Sequence, residues 1–304
     1  MTTEIFPREP SALSLPLASP PRPKRRDVST TLNYYRDPGD GSLPTPVFVG
    51  GDTVINERPT IPTPVVVRDV SGEEDKYRLD SHGFEFVRHE SKEKGFEDDD
   101  AIISLYYREC EQIYKSATGA TSVHIFGHLV RRGPTHWHSL GTGNATKKGP
   151  LHRVHIDQSY HGAELILRKH LPDEEVKTRM KHRWQIINLW RPVSTIFKDP
   201  LGVAAAHSIP ESDLVSAEVV YTKQPPPLNR NETWTILPSD KHEWFFKNEQ
   251  GPEDVLLIKC FDSSEVEGMV RRAPHCAFKD PEREGEEWAD RQSIEVRALV
   301  FYDE

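Results

Sequence analysis

Apolar residues recur at helical spacing in one early stretch of the chain, and at strand-like spacing through most of the second half. Between 97 and 119, Ile102, Leu105, Tyr106, Cys110 and Ile113 recur at intervals that suit one helix face. The acids Glu97 to Asp100 stand before them, where a helix dipole favours negative charge, and Gly119 offers an end. Short strands are predicted over 64–68 and 77–87, divided by the turn-like Asp69-Val70-Ser71-Gly72, and a further strand over 123–130. A Gly- and Pro-rich loop over 133–150, of a length that often carries function, leads into a strand over 151–157. Helices are predicted over 162–170 and 173–182, with Pro172 opening the second. Beyond Trp184 the pattern is strand-rich, over 184–193, 216–222, 232–237, 243–247, 255–262 and 293–302. Turn signals such as Lys198-Asp199-Pro200 and Gly251-Pro252 lie between these strands. A helical layer followed by many antiparallel strands predicts a mainly β fold with flanking α-helices, a distorted jelly roll.

The chain has 304 residues, 36% of them hydrophobic, enough for one large domain with a sizeable core. The first 30 residues hold six prolines and the basic run Lys24-Arg25-Arg26, which reads as a disordered tail; a single domain is expected over 31–304. Leu13, Leu15 and Leu17 are interrupted by Pro16, so the tail has no continuous apolar segment of a secretory signal. A formal net charge of −9 argues against nucleic acid as a partner, since phosphate binding leans on clustered Lys and Arg. No apolar run approaches the roughly 18 residues of a membrane span. Three scattered cysteines, Cys110, Cys260 and Cys276, are too few for a disulfide framework and favour a reducing, cytoplasmic setting.

Candidate chemistry changes this bland picture at His155-Ile156-Asp157. Residues i and i+2 of a strand share a face, so His155 and Asp157 can reach one metal from a strand end. With a distant His275 they make the two-histidine, one-carboxylate set that holds iron(II) on one face and leaves positions open. Among 14 histidines an accidental His-x-Asp is easy, and His275 alone reads as a hydrogen-bonded structural residue. The pair His136 and His138, flanking Trp137, is a competing metal motif of cupin type, but no carboxylate follows at useful spacing.

The second signal lies 16 positions after His275, in Arg291-Gln292-Ser293-Ile294-Glu295-Val296-Arg297. On a strand, Arg291, Ser293, Glu295 and Arg297 share a face, and a solvent-facing polar stripe would explain them. Turned inward, Arg291 can clamp a carboxylate with two parallel hydrogen bonds and Ser293 can add another. Arg297 would then neutralise Glu295 or reach the other end of such a ligand, beside the metal. Asn188 and Trp190 share one face of their strand, with Arg191 on the other. Together with Tyr160, Tyr221 and Trp234 they are candidates to line a substrate pocket, against the alternative of core packing.

Several stretches resemble one family of fungal and bacterial oxidoreductases. They are Thr31-Leu32-Asn33-Tyr34-Tyr35, Val154-His155-Ile156-Asp157-Gln158-Ser159, Ile186-Ile187-Asn188-Leu189-Trp190-Arg191-Pro192 and Val220-Tyr221-Thr222. Leu256 to Ser263, Ala273-Pro274-His275 and Ser293 to Phe301 continue the likeness, which covers nearly everything after residue 30. The family is the CmcJ-like and NvfI-like one, which includes gibberellin desaturase and AsaB-type hydroxylase/desaturases. The resemblance implies an Fe(II)- and 2-oxoglutarate-dependent oxygenase on a double-stranded β-helix, a cupin-like jelly roll. It implies O2 as second co-substrate and a small secondary metabolite as target for hydroxylation, desaturation or rearrangement. His155, Asp157 and His275 match the metal positions of the family, and a homodimer is plausible from its relationships. Ala204-Ala205-Ala206-His207 departs from the more polar segment expected there. A non-oxidative cupin metalloenzyme, an isomerase or hydrolase, would keep the histidines but give the Arg291 face nothing to hold. A non-catalytic jelly-roll partner would not need the intact set of three.

Overall fold

The computed structural model describes residues 25–49, 58–136, 148–226 and 229–303. Its strands are β1 Val28–Tyr35, β2 Val47–Val49, β3 Thr60–Asp69, β4 Phe84–Arg88, β5 Ser122–Arg131, β6 His155–Ile156 and β7 Trp184–Pro192. They continue with β8 Leu201–Ala204, β9 Leu214–Tyr221, β10 Arg230–Ile236, β11 Trp244–Phe246, β12 Asp254–Asp262, β13 His275–Ala277 and β14 Ser293–Phe301. Helices are α1 Leu79–His82, α2 Asp99–Ala101, α3 Tyr107–Thr118, α4 Tyr160–His170 and α5 Asp173–Arg179. One nine-stranded sheet runs β1-β3-β11-β8-β13-β6-β10-β9-β2, and a five-stranded sheet runs β4-β12-β7-β14-β5.

The five-stranded sheet is covered on both faces, which is why its central strands carry few polar residues. On one face Ile187, Leu189, Val255, Leu257, Ile294 and Val296 pack with Ile102, Tyr106, Cys110 and Ile113 of the helical layer. On the other, Trp190, Leu256 and Ile258 meet Val203 and Phe245 from the nine-stranded sheet. A third cluster gathers around α4 and α5, joining Ile156, Ala163, Leu167 and Val176 to Trp184, Ile186 and Leu299. Arg191, on the helix-facing side of β7, is 1% exposed and donates to Tyr106 Oη and to the carbonyls of His89 and Pro252.

Several expectations shift in physical detail. The helix over 97–119 forms, with Asp98 accepting from Asp100 N at its start and Gly119 at φ 73° closing it. A π-helical turn over Ile102–Tyr106 breaks its period, so Leu105 is 54% exposed rather than buried with Tyr106. The strand expected over 77–87 is replaced at its start by α1, because Gly83 adopts φ 83° and ends a helical turn before β4. The strand expected over 151–157 shrinks to β6, with Asp157 just beyond it. Strands β1, β2, β8 and β13 were not predicted, being short or irregular in alternation. Residues 25–30, assigned to the tail, belong to the folded body. Val28 is 1% exposed, and Arg26 pairs with Asp280 and Glu282. Residues 1–24 lie outside the described residues. Pro62 and Pro64 are tolerated in β3 because that half pairs only with β1, and β11 joins at Val67 to Asp69.

The segment after Asp157 is anchored tightly. Ser159 Oγ accepts from Gly162 N at 2.9 Å as the cap of α4, and donates to Glu232 Oε1 of β10. A Cβ added at Gly162 would stand 1.9 Å from the Glu232 carbonyl oxygen. Gly162→Ala must therefore push α4 off β10, and should cost about 1–3 kcal/mol. A lower urea midpoint with unchanged slope is the expected result, and an unaltered midpoint would contradict this packing.

Candidate metal centre

β6 lies between β13 and β10, and its register sets the site. His155 is directly opposite His275 on β13 and Thr235 on β10. Directly opposed residues share a face, so the two imidazoles meet, with ring centroids 4.5 Å apart and planes at 55°. Asp157 Oδ1 lies 3.4 Å from His155 Nε2 and 4.0 Å from His275 Nε2. One donor atom from each of the three residues falls within 4.8 Å of the others, the only such group among the described residues.

The imidazoles are prepared as ligands. His155 Nδ1 is 2.8 Å from the Arg153 carbonyl, and His275 Nδ1 is 3.3 Å from the Ala273 carbonyl. A carbonyl only accepts, so Nδ1 carries a proton in each ring and Nε2 is the nitrogen that faces the partner groups. Burial, and then the neighbouring His155, push His275 down to about 4, so it is neutral near pH 7. Burial alone would raise the Asp157 carboxyl. The His155 contact and the charge of Arg297 outweigh this and hold it well below the usual carboxylate range. Two imidazole nitrogens and one carboxylate oxygen, at this spacing, are a donor set for a divalent first-row ion.

The stretch after His275 turns inward too. Arg291, Ser293 and Glu295 are 4%, 1% and 9% exposed, so the solvent-facing stripe is absent. Arg291 donates to the Asp199 carbonyl at 2.9 Å and lies over the Trp190 ring at 5.5 Å. Its Nε is buried without a partner among the described residues. Burial and the nearby Arg131 guanidinium push Arg291 down to about 10, still charged at neutral pH. Arg131 itself is opposite Ser293 on β5 and donates to the Gly149 carbonyl. It was missed in the sequence, where only its place at the end of the 123–130 strand marked it. Arg297 donates to Glu295 Oε1 at 2.9 Å, one of its two expected roles.

The five pocket candidates separate. Asn188 is fully buried and donates to Asp157 Oδ2 at 2.7 Å, beside the metal ligands. Trp190, 2% exposed, is the platform under Arg291. Tyr160 and Trp234 pack edge to face at 5.5 Å, and Tyr160 Oη donates to Glu211. Trp234 is opposite Ile156 rather than His155, one position off the metal-facing row. Tyr221 ends β9 beneath Lys169. Of the competing pair, His138 lies outside the described residues. His136 borders a cleft of about 310 Å³ with Phe197, Asp199 and Trp288.

A buried His-Asp-His cluster between two sheets, next to buried arginines, defines a metal-dependent oxidoreductase type of centre. Residues 32–301 match the family model described as an oxidoreductase/YMDC permease-like domain. The chain is 36% identical to the hydroxylase/desaturase efuI of Hormonema carpetanum, over 91% of this chain and 96% of the relative. It is 33% identical to the hydroxylase/desaturase CTB9 of Cercospora beticola, over 100% and 99% of the two chains. It is 30% identical to the alpha-ketoglutarate-dependent dioxygenase phiK of a fungal species, over 90% and 96%. The solved structure of the iron and alpha-ketoglutarate-dependent endoperoxidase NvfI shares the fold, with a TM-score of 0.76 at 23% identity, over 91% of this chain and 97% of that one. The chain therefore belongs to this hydroxylase/desaturase family of oxidoreductases.

Asp157→Ala removes the anionic donor. Binding of Co(II), followed by visible absorption, should weaken by more than about 100-fold, beyond the loss typical of an outer hydrogen-bond partner. Unchanged affinity would detach these residues from metal binding.

Proposed function

We propose that His155, Asp157 and His275 hold iron(II), and that Arg291 with Ser293 holds the distal carboxylate of 2-oxoglutarate. The chain is an iron(II)- and 2-oxoglutarate-dependent oxygenase acting on a small organic molecule of secondary-metabolite type. The observation that carries this reading is the convergence of three donor atoms within 4.8 Å from strands far apart in sequence. The two sheets are read as a double-stranded β-helix and residues 31–304 as one domain, preceded by a few docked residues of the tail. Bound iron(II) and 2-oxoglutarate would let O2 act as the oxidant of an unactivated C–H bond, the keto acid being oxidised to succinate and carbon dioxide.

The remaining work belongs to the protein. The Arg153 and Ala273 carbonyls fix which imidazole nitrogen faces the ion. Arg291 brings a guanidinium whose Nε has no partner among the described residues, stacked over the Trp190 ring. Arg131 adds a second positive charge beside it, and the Asp199 and Glu295 carboxylates lie close enough to act on Arg291. Glu295 neutralises only one of the three arginines directly, Arg297. Such paired cations favour this reading over a non-oxidative metalloenzyme, which has no use for a buried dicarboxylate anchor. The three cysteines are buried and free, in keeping with a reducing, cytoplasmic setting. No helix among the described residues is long and apolar enough to cross a membrane. A homodimer and the absence of a nucleic-acid partner stay part of the proposal.

The decisive assay measures succinate formed from 2-oxoglutarate with Fe(II), ascorbate and a panel of fungal metabolites. Turnover is expected for the wild type. Arg291→Met should raise the KM for 2-oxoglutarate by about 100-fold, the size expected when a buried charged partner is truncated. Failure of the wild type to bind 2-oxoglutarate at millimolar concentration would sink the proposal.

A further inference from the structure

Asn188 is a fully buried amide in the middle of β7, flanked by Ile186, Ile187 and Leu189. Burying an amide costs free energy unless its polar atoms are used. Its Nδ2 donates to Asp157 Oδ2 at 2.7 Å, while its Oδ1 accepts from no donor among the described residues. The bond to Asp157 is therefore the contact that explains the amide. That bond also divides the carboxylate. Oδ2 is occupied by Asn188, and Oδ1 is the oxygen 3.4 Å from His155 Nε2 and 4.0 Å from His275 Nε2.

We propose that Asn188 is a positioning residue that keeps Asp157 a one-oxygen ligand and so preserves the open coordination positions the reaction needs. This rests on the reading of His155, Asp157 and His275 as the metal ligands. A carboxylate with both oxygens free can bind an ion through both. With two imidazoles present, a second carboxylate oxygen would take one of the about three positions left to keto acid and O2. Asn188 prevents this by holding Oδ2 in a hydrogen bond to an ionised acceptor, the stronger kind. Its place in the sheet adds rigidity. Asn188 is directly opposite Arg297 on β14, so the metal carboxylate is tied to the strand that carries Ser293 and Arg297. β7 is held in turn between β12 and β14.

The test uses the full chain with Mn(II) as probe. Asn188→Leu keeps the volume and removes the donor. Water-proton relaxation should count about three exchangeable waters on Mn(II) in the wild type and about two in Asn188→Leu. Mn(II) affinity should fall by about 10- to 100-fold in the variant, the range for an outer partner of a ligand. The melting midpoint in EDTA should stay near that of the wild type, which separates lost positioning from lost fold. Three waters retained in Asn188→Leu overturns the proposal, whatever the affinity. Two waters on the wild type overturns it without needing any variant. A wild type that takes up no Mn(II) removes the metal centre together with the role of Asn188. Normal uptake by the wild type with an indistinguishable variant removes only the role of Asn188.

Discussion

The pairing of β6 with β13 is the contact on which the site depends. β6 is only two residues long, and a slip of one position would turn Ile156 toward the cluster and His155 away from it. Long strands hold register through many hydrogen bonds. This one is held from its ends instead. Val154 N donates to the Asn33 carbonyl before it, and Ser159 N and Oγ both bond to Glu232 after it. The cap of α4 and the close approach of Gly162 to β10 complete the clamp. A short strand with anchored ends places Asp157 just beyond the ladder, where its carboxylate is free of the pleat yet close to both rings.

Charge inside the molecule is arranged rather than avoided. Lys259 and Asp262 are fully buried and pair with each other, and Asp80 and Arg183 extend the network at the far end of β12. Breaking one member of such a pair costs about 3–5 kcal/mol, so the network acts as a staple with its hydrogen bonds made internally. Around the metal cluster the balance is different. Among the described residues Arg291 has a buried nitrogen without a partner, Asn188 has an unused acceptor, and Arg131 stands beside Arg291. Desolvated and incompletely matched polar groups are costly, and those beside the metal cluster suit a region that binds charge.

The chemistry was legible in the chain where it follows from residue type at short spacing. His155 and Asp157 could be placed on one face from their separation alone, and the row Arg291, Ser293, Glu295 and Arg297 from strand periodicity. Whether that row met water or the interior was not legible, because a polar alternation looks the same on either side of a sheet. Asn188 illustrates the same limit. Its strand and face were readable, but its bond to Asp157 joins the middle of β7 to the residue just after β6. Arg131 had only its place at the end of a predicted strand, since its meaning comes from lying opposite Ser293. Leu105 misled because a π-helical turn changes the helical period locally, and nothing in the apolar pattern announces such a turn.

By itself the sequence determined the mainly β class of the fold, the order of most of its strands and helices, and the types of ligand available to a metal. These depend on interactions within a few residues: propensity, periodicity and the direction of neighbouring side chains. Tertiary structure alone decided that His275 meets His155, which carboxylate oxygen of Asp157 faces the rings, and which of the arginines pairs with Glu295. Those outcomes depend on strand register and sheet-to-sheet contact, where one position of slip exchanges the two faces of a strand.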